Sequence, residues 1–246
     1  MFAQAKTLVT LATYNEIENL PQLFEEIVAA APQVDVLVID DNSPDGTGRW
    51  CDEMAAQDSR LHCLHRPGKL GLGTATIAGM QYALAHGYTY VLNMDADFSH
   101  HPRHLPALIE GMDSPEPGAV DVMIGSRYVA GGEIVGWPLR RHLMSKAVNG
   151  YARWLLGLRV RDCSGAFRCY RTDVLKRIDF RDVRSRGYSF QEEILWRLVR
   201  AGARTGETPV RFADRERGQS KINLSEGVAA VLLILRLGLS RVWSRR

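Results

Sequence analysis

Four cysteines are few for 246 residues, and Cys51, Cys63, Cys163 and Cys169 form no CxxC pair and stand at no histidine spacing usual for zinc. They read as reduced packing residues, and metal binding through sulfur is not expected. A GxxxxGK(S/T) loop is absent, and Gly71-Leu72-Gly73-Thr74-Ala75-Thr76 lacks the third glycine of the dinucleotide fingerprint, so neither a P-loop nor an NAD site is indicated. Gly71 and Gly73 instead suit a tight turn into a helix. Long apolar runs are missing as well. The segment Leu224 to Arg246 is broken by Arg236, and Val228 to Leu235 gives eight unbroken apolar residues, against the roughly twenty that span a bilayer. The opening MFAQAKTLVTLATYN lacks the order of a signal peptide and reads as a first strand, so the protein is expected to face the cytoplasm. A net charge of +3 is too small to mark a nucleic-acid partner.

What is present suits a packed core: 46% of residues are hydrophobic and 24% charged. Short β-rich runs at Leu8–Thr13, Val34–Asp40, Arg60–His65, Thr89–Met94 and Val120–Ser126 are bounded by turn residues. Helical patterns lie between them, at Asn19–Ala31, Asp45–Gln57 and Thr74–His86, the last ending at Gly87. This alternation predicts an α/β fold with a mostly parallel sheet covered on both faces. After Arg127 come a Gly-rich loop, a basic helix from about Leu139 to Leu156, a helix near Ser189–Ala201, a strand around Glu207–Ala213 and a final apolar helix. One domain is expected over 1–246, its second half shaping the substrate site. Arg127 to Arg161 holds seven basic residues against one acidic, Glu133, which points to a local anionic partner.

Ligands of open parallel sheets sit beyond the carboxyl ends of the strands. Four polar clusters fall at such ends: Thr13-Tyr14-Asn15-Glu16, Asp40-Asp41-Asn42-Ser43, Asp95-Ala96-Asp97 and Gly125-Ser126-Arg127. Two carboxylates separated by one alanine repel each other unless one is protonated or a cation lies between them, and oxygen ligands favour Mg2+ or Mn2+ bridging a diphosphate. Alternatively Asp95 caps a turn and Asp97 caps a helix beginning near His101 or Pro102. His100 and His101, being adjacent, rarely both face one ion and read as structural or supporting groups. Arg140 and Arg141 can be a phosphate grip or a solvated basic face.

Taken together, the motifs resemble those of the dolichol-phosphate mannose synthases, or polyprenol monophosphomannose synthases, which are GT-A glycosyltransferases. The resemblance rests on Thr13-Tyr14-Asn15-Glu16, Ile39-Asp40-Asp41-Asn42-Ser43-Pro44-Asp45-Gly46-Thr47 and Met94-Asp95-Ala96-Asp97-Phe98-Ser99-His100-His101-Pro102. Later matches are Gly125-Ser126-Arg127-Tyr128, Gly136-Trp137-Pro138-Leu139-Arg140-Arg141, Ser164-Gly165-Ala166-Phe167-Arg168 and Gly218-Gln219-Ser220-Lys221. It implies transfer of mannose from GDP-mannose to a polyprenyl (dolichyl-type) monophosphate, with inversion and a divalent metal, Mg2+ or Mn2+. Residues 1–127 would then form the nucleotide-sugar-binding half and 128–246 the acceptor-binding half. By motif position, Tyr14, Glu16 and Asp41 would hold the nucleotide with backbone contacts at Ala12 and Ile39. Asp95 and Asp97 would organise the metal and diphosphate, and Ala96 would approach the sugar. Ser99 stands where some relatives carry a metal-ligating glutamine, so the third protein ligand is Ser99 or a water. Arg127, Arg141 and Ser145 would grip the acceptor phosphate, while Arg215 and Lys221 would close over the donor diphosphate.

An anionic acceptor phosphate needs no strong general base, so positioning by Arg127, Arg141 and Ser145 would do much of the catalysis. A sugar-hydroxyl acceptor would need one, and Glu192 or Glu193 keeps that reaction open, unless both merely complement a helix dipole. Glucosyl transfer from UDP-glucose to a polyprenyl phosphate and a non-catalytic sugar-nucleotide scaffold stay open on the same residues. The C-terminal helix is read either as core packing or as a surface for a membrane or a small membrane subunit. Peripheral attachment to the inner face of the cytoplasmic membrane is expected.

Overall fold

The computed structural model describes residues 5–114, 119–185, 187, 189–214 and 231–239. β1 (Thr7–Thr13) and β2 (Val34–Asp40) are almost wholly buried. Their β-branched, continuously apolar runs form strands covered on both faces. Between them α1 (Leu20–Ala30) starts with a proline in its first turn and buries Leu20, Leu23, Phe24 and Ile27, the i, i+3, i+4, i+7 stripe of a helix lying on a sheet. α2 (Thr47–Ala55), β3 (Leu61–His65), α3 (Leu72–Ala85) and β4 (Tyr90–Asp95) repeat the βα alternation. α2 begins later than the composition suggests because Asp45 accepts the Thr47 N–H at 3.0 Å and the Thr47 hydroxyl at 2.7 Å. Gly71 takes φ +98, and a Cβ at Gly73 would stand 2.8 Å from the Phe190 ring, so both glycines serve the turn and the packing at the start of α3.

α4 (Leu105–Glu110), β5 (Val122–Ser126), β6 (Glu133–Val135), α5 (Leu139–Leu156), β7 (Arg168–Arg171), α6 (Thr172–Leu175), α7 (Phe190–Arg200), β8 (Thr205–Pro209) and β9 (Arg211–Ala213) follow. The main sheet runs β3-β2-β1-β4-β7-β5-β8, and β6 with β9 makes a small second sheet. β1 pairs in parallel with β2 and β4, β2 with β3, and β5 with β8. Among the described strands β7 alone is antiparallel, inserted between β4 and β5. The strand expected around Glu207–Ala213 is two: the chain leaves β8 at Pro209 and enters the second sheet at Arg211.

One apolar layer, including Leu23, Ile27, Val36 and Leu108, packs beneath α1 and α4. The opposite layer, including Leu37, Ala83, Leu156, Ile194 and Leu198, lies under α3, α5 and α7. The helix of residues 231–239 joins that second layer through Ile234 and Leu237 while exposing Val231, Leu232, Leu235 and Leu239. Among the described residues no helix is long and apolar enough to cross a membrane.

Candidate active site

The parallel register brings the expected strand ends into one row. Ala12 lies opposite Ile39 on one side and Asp95 on the other. Three residues other than glycine have positive φ among the described residues: Asn15 (62°), Asn42 (59°) and Phe98 (61°). They follow β1, β2 and β4 in turn. Backbone strain of this kind persists where surrounding contacts enforce it, and it collects at functional sites.

Those contacts are visible. Asn15 N–H donates to Ser43 Oγ (3.0 Å), Glu16 N–H to Thr47 Oγ1 (3.1 Å) and Ile17 N–H to Asp45 Oδ2 (3.1 Å), which laces the loop after β1 to the loop after β2. Ser43 Oγ in turn donates to Asp40 Oδ1 at 2.5 Å. Tyr14 is exposed, with Lys69 Nζ 4.5 Å from its ring centroid. Asp41 is buried, and Arg66 Nε stands 3.2 Å from its Oδ1. That approach lacks hydrogen-bond alignment, so Asp41 Oδ1 and Arg66 Nη1 are both buried with no hydrogen-bond partner. Burial pushes the Asp41 carboxyl up against the opposing pull of Arg66. A buried carboxylate with an unsatisfied oxygen suits the N–H groups of a base edge.

Asp97 does not cap a helix. The helical turn at Pro102–His104 is capped by His101, whose ring nitrogen accepts the Arg103 N–H at 3.3 Å. Asp97 Oδ1 instead accepts the Ser99 N–H (3.1 Å) and the Ser99 hydroxyl (2.5 Å). Ser99 therefore orients Asp97 in this structure. Ala96, between the two acids, is buried.

His100 sets the turn. Its ring stacks on Phe167 at 4.8 Å, meets Phe212 edge-on at 5.6 Å, and its Nδ1 accepts the Asp95 N–H at 3.1 Å. An accepting Nδ1 carries no proton, and burial holds the imidazole pKa down, so the ring is neutral and its 3.7 Å approach to Asp95 Oδ2 is no ion pair. Asp95, Asp97, Arg127 and Asp162 all lie within electrostatic reach of this one buried ring. Two oxygen-donor carboxylates on one strained turn, with Asp97 held by Ser99, fit a hard divalent cation.

The Arg127 side chain, only 8% exposed, forks onto the fully buried Asp162, Nε to Oδ2 and Nη2 to Oδ1, both at 2.7 Å. Asp162 also accepts the Arg127 and Gly165 N–H groups. Burial opposes the charge on Asp162, and Arg127 more than offsets it, holding the carboxyl below its usual range. Arg127 Nη2 further donates to Ser164 Oγ at 2.9 Å. Arg141 Nη1 reaches Asp214 at 3.0 Å, its guanidinium carbon is 4.1 Å from the Trp137 ring centroid, and its buried Nε has no hydrogen-bond partner. Ser145 Oγ accepts the Tyr128 hydroxyl at 2.7 Å. Rings link Trp137 to His100: Trp137 meets Phe212 at 5.4 Å, and Phe212 meets His100. Sequence reasoning missed Asp162, Asp214 and Arg66, because their partners are distant in the chain, whereas His100 takes the supporting role expected of it. Arg215 and Lys221 lie outside the described residues.

Glu192 and Glu193 lie in the first turn of α7, as expected, but both are buried. Glu193 is buried, accepts the Arg184 and Ser185 N–H groups and pairs with Arg197 at 2.8 Å. Glu192 is buried with Oε2 unpartnered, and burial pushes its carboxyl up to about 7. Folding thus favours the protonated form: this stability is full below the ordinary carboxyl range and is lost as pH rises through about 7. Glu192→Gln is expected to gain stability relative to the parent chain as pH rises from about 5 to 8, by up to roughly 3 kcal/mol. Thermal melts across that range check it, and a pH-independent difference would refute it.

Comparison with known proteins agrees with this architecture. Residues 9–179 match the profile of the glycosyl transferase family 2. The polyprenol monophosphomannose synthase of Mycolicibacterium smegmatis is 43% identical over 235 residues, covering 95% of this chain and 87% of that protein. The undecaprenyl-phosphate mannosyltransferase of Micrococcus luteus is 44% identical over 238 residues, covering 97% and 96%. Glucosyl-3-phosphoglycerate synthase from Mycobacterium tuberculosis, solved with Mn2+, uridine diphosphate and glucosyl-3-phosphoglycerate, superposes with a TM-score of 0.64 at 19% identity over 96% of this chain and 80% of its own. That likeness establishes a shared GT-A fold. With a family profile over most of its length and two relatives above 40% identity, the chain belongs to the glycosyl transferase family 2.

Proposed function

We propose that this protein transfers mannose from GDP-mannose to the phosphate of a polyprenol, with inversion at the anomeric carbon. The observation that carries the reading is that Asp95, Asp97 and Arg127 all lie within electrostatic reach of the one buried imidazole of His100. The carboxylates suit a metal-bound diphosphate, and the guanidinium group suits an anionic acceptor. The two curated relatives, one named a polyprenol monophosphomannose synthase and the other an undecaprenyl-phosphate mannosyltransferase, support the same donor sugar and acceptor class.

Asp95 and Asp97, with Ser99 or a water, would hold Mg2+ or Mn2+. Such an ion supplies Lewis-acid stabilisation to the departing diphosphate. The C1–O bond to the diphosphate breaks with its electron pair leaving on GDP, while an acceptor phosphate oxygen forms the new bond from the opposite face. Arg141 and Arg127, with Ser145, would orient that phosphate. Asp41 suits guanine, whose adjacent N–H donors match an acceptor-only carboxylate, and Tyr14, Glu16 and the backbone at Ala12 and Ile39 border the same end of the sheet. Arg215 and Lys221 are assigned to the donor diphosphate. Residues 1–127 would supply most of the donor contacts and 128–246 most of the acceptor contacts, with Arg127 and the pair Arg215 and Lys221 crossing that division.

The lipid acceptor also needs a membrane face. α5 exposes Leu139, Leu143, Met144 and Trp154, beside exposed Arg140, Lys146 and Arg153. The helix of residues 231–239 packs against Leu155 of α5 and adds its own exposed leucines. Apolar side chains flanked by basic ones suit the headgroup region of an anionic bilayer, which supports peripheral attachment at the cytoplasmic face.

A second reading is kept by Glu192, whose carboxyl pKa near 7 is that of a general base for a hydroxyl acceptor. One experiment separates them: a panel of nucleotide sugars with a short polyprenyl phosphate, scored for organic-soluble labelled sugar with Arg141→Ala and Glu192→Gln. Arg141→Ala is expected to lower kcat/KM by about a hundredfold or more, the cost of truncating a charged contact. Glu192→Gln is expected to retain most activity. The opposite pattern overturns the phosphate-acceptor reading.

A further inference from the structure

Asp52, Cys63 and His65 meet at the outer edge of the main sheet, three strands away from β4. Cys63 and His65 are two apart on β3 and project from one face, and Asp52 reaches them from α2, which packs on that strand. Their donor atoms all lie within 4.8 Å of one another. His65 Nε2 is 2.9 Å from Asp52 Oδ1, and His65 Nδ1 is 4.0 Å from Cys63 Sγ. An open surface depression lined by Asp52, Leu61, His62, Cys63 and Tyr82 admits solvent to the cluster.

We propose that Cys63 Sγ, an imidazole nitrogen of His65 and an Asp52 carboxylate oxygen bind a divalent transition-metal ion of the Zn2+ type, with water completing a tetrahedron. The donor set decides the ion. Thiolate and imidazole favour borderline metals and disfavour Mg2+ and Mn2+, which take oxygen ligands. Ligand bonds of about 2.0–2.3 Å require the donors to draw together by roughly 1 Å. The side chains of His65 and Asp52 are 51% and 61% exposed, so they have the freedom to do so.

Cys63 is half-buried, and its thiol pKa is held below the usual range. An occupied site would tie α2 to β3 and stabilise the folded chain in proportion to its occupancy.

The test is titration of metal-free full-length protein with Co2+. A thiolate-to-cobalt charge-transfer band is expected, displaced by Zn2+ and not by excess Mg2+ or Mn2+, with a rise in thermal midpoint on Zn2+ addition. Cys63→Ser is expected to abolish the band, and Asp52→Asn, at an exposed position, to weaken binding about 10–100-fold. Absence of the band, or equal affinity in Asp52→Asn, overturns the site. So does rapid alkylation of Cys63 that Zn2+ leaves unchanged.

Discussion

Asp97→Ala is expected to lower metal-dependent mannosyl transfer about a thousandfold, on the order of 4 kcal/mol of transition-state stabilisation, with the chain still folded and the thermal midpoint lowered by only a few degrees. Asp97 sits on a turn whose shape is set largely by others: Ala96 is buried, and His100 holds the Asp95 N–H. Removing the Asp97 carboxylate leaves the buried Ser99 hydroxyl and N–H without their acceptor, which costs the fold about 1–3 kcal/mol. The larger cost falls on the reaction, where the leaving diphosphate gathers negative charge. The measurement is organic-soluble product formed at increasing Mn2+, with a chelator as baseline. Full activity of Asp97→Ala, or of the parent chain in chelator, would remove the metal from the proposed reaction.

Asp162→Ala is the opposite kind of substitution, and its largest effect is on the fold. It strips the buried Arg127 guanidinium of two hydrogen bonds and leaves the Arg127 and Gly165 N–H groups unpaired. An uncompensated buried charge of this kind costs about 3–5 kcal/mol, which lowers the thermal midpoint of a domain of this size by roughly 6–20 °C. Activity falls with it, because the proposed acceptor grip depends on Arg127 being held in place. Asp162→Asn keeps the volume and one acceptor, so it is expected to lie between the parent and the alanine variant. Thermal melts and kcat/KM for the two variants check the order. A midpoint for Asp162→Ala within a degree or two of the parent would show that Arg127 is not held by this pair.

These two acids differ in how far the amino-acid sequence reveals them. Asp95 and Asp97 interrupt an apolar strand, and such a break is visible in a short window because burial of a strand imposes a local pattern. The other strand ends were legible on the same ground, and α5 runs over the expected Leu139–Leu156. β7 escaped notice: its four residues begin and end with arginine, and only the tertiary structure shows Arg168 fully buried, with Nη1 and Nη2 donating to the Gln191 and Cys163 carbonyls. Cys63 and His65 read as unrelated because their third partner, Asp52, comes from a neighbouring helix and not from a ligand motif.

By itself the sequence determined the βα alternation, the strands whose carboxyl ends carry polar clusters, and the residue types fit for a diphosphate and an anionic acceptor. The tertiary structure decided how those charges are balanced. Arg127 finds its counter-charge 35 residues on at Asp162, and Arg141 finds Asp214 73 residues on. The physical reason is that apolar periodicity answers to burial of a single element. A buried charge answers to whichever partner the sheet order brings within hydrogen-bonding distance, and chain separation has no part in that.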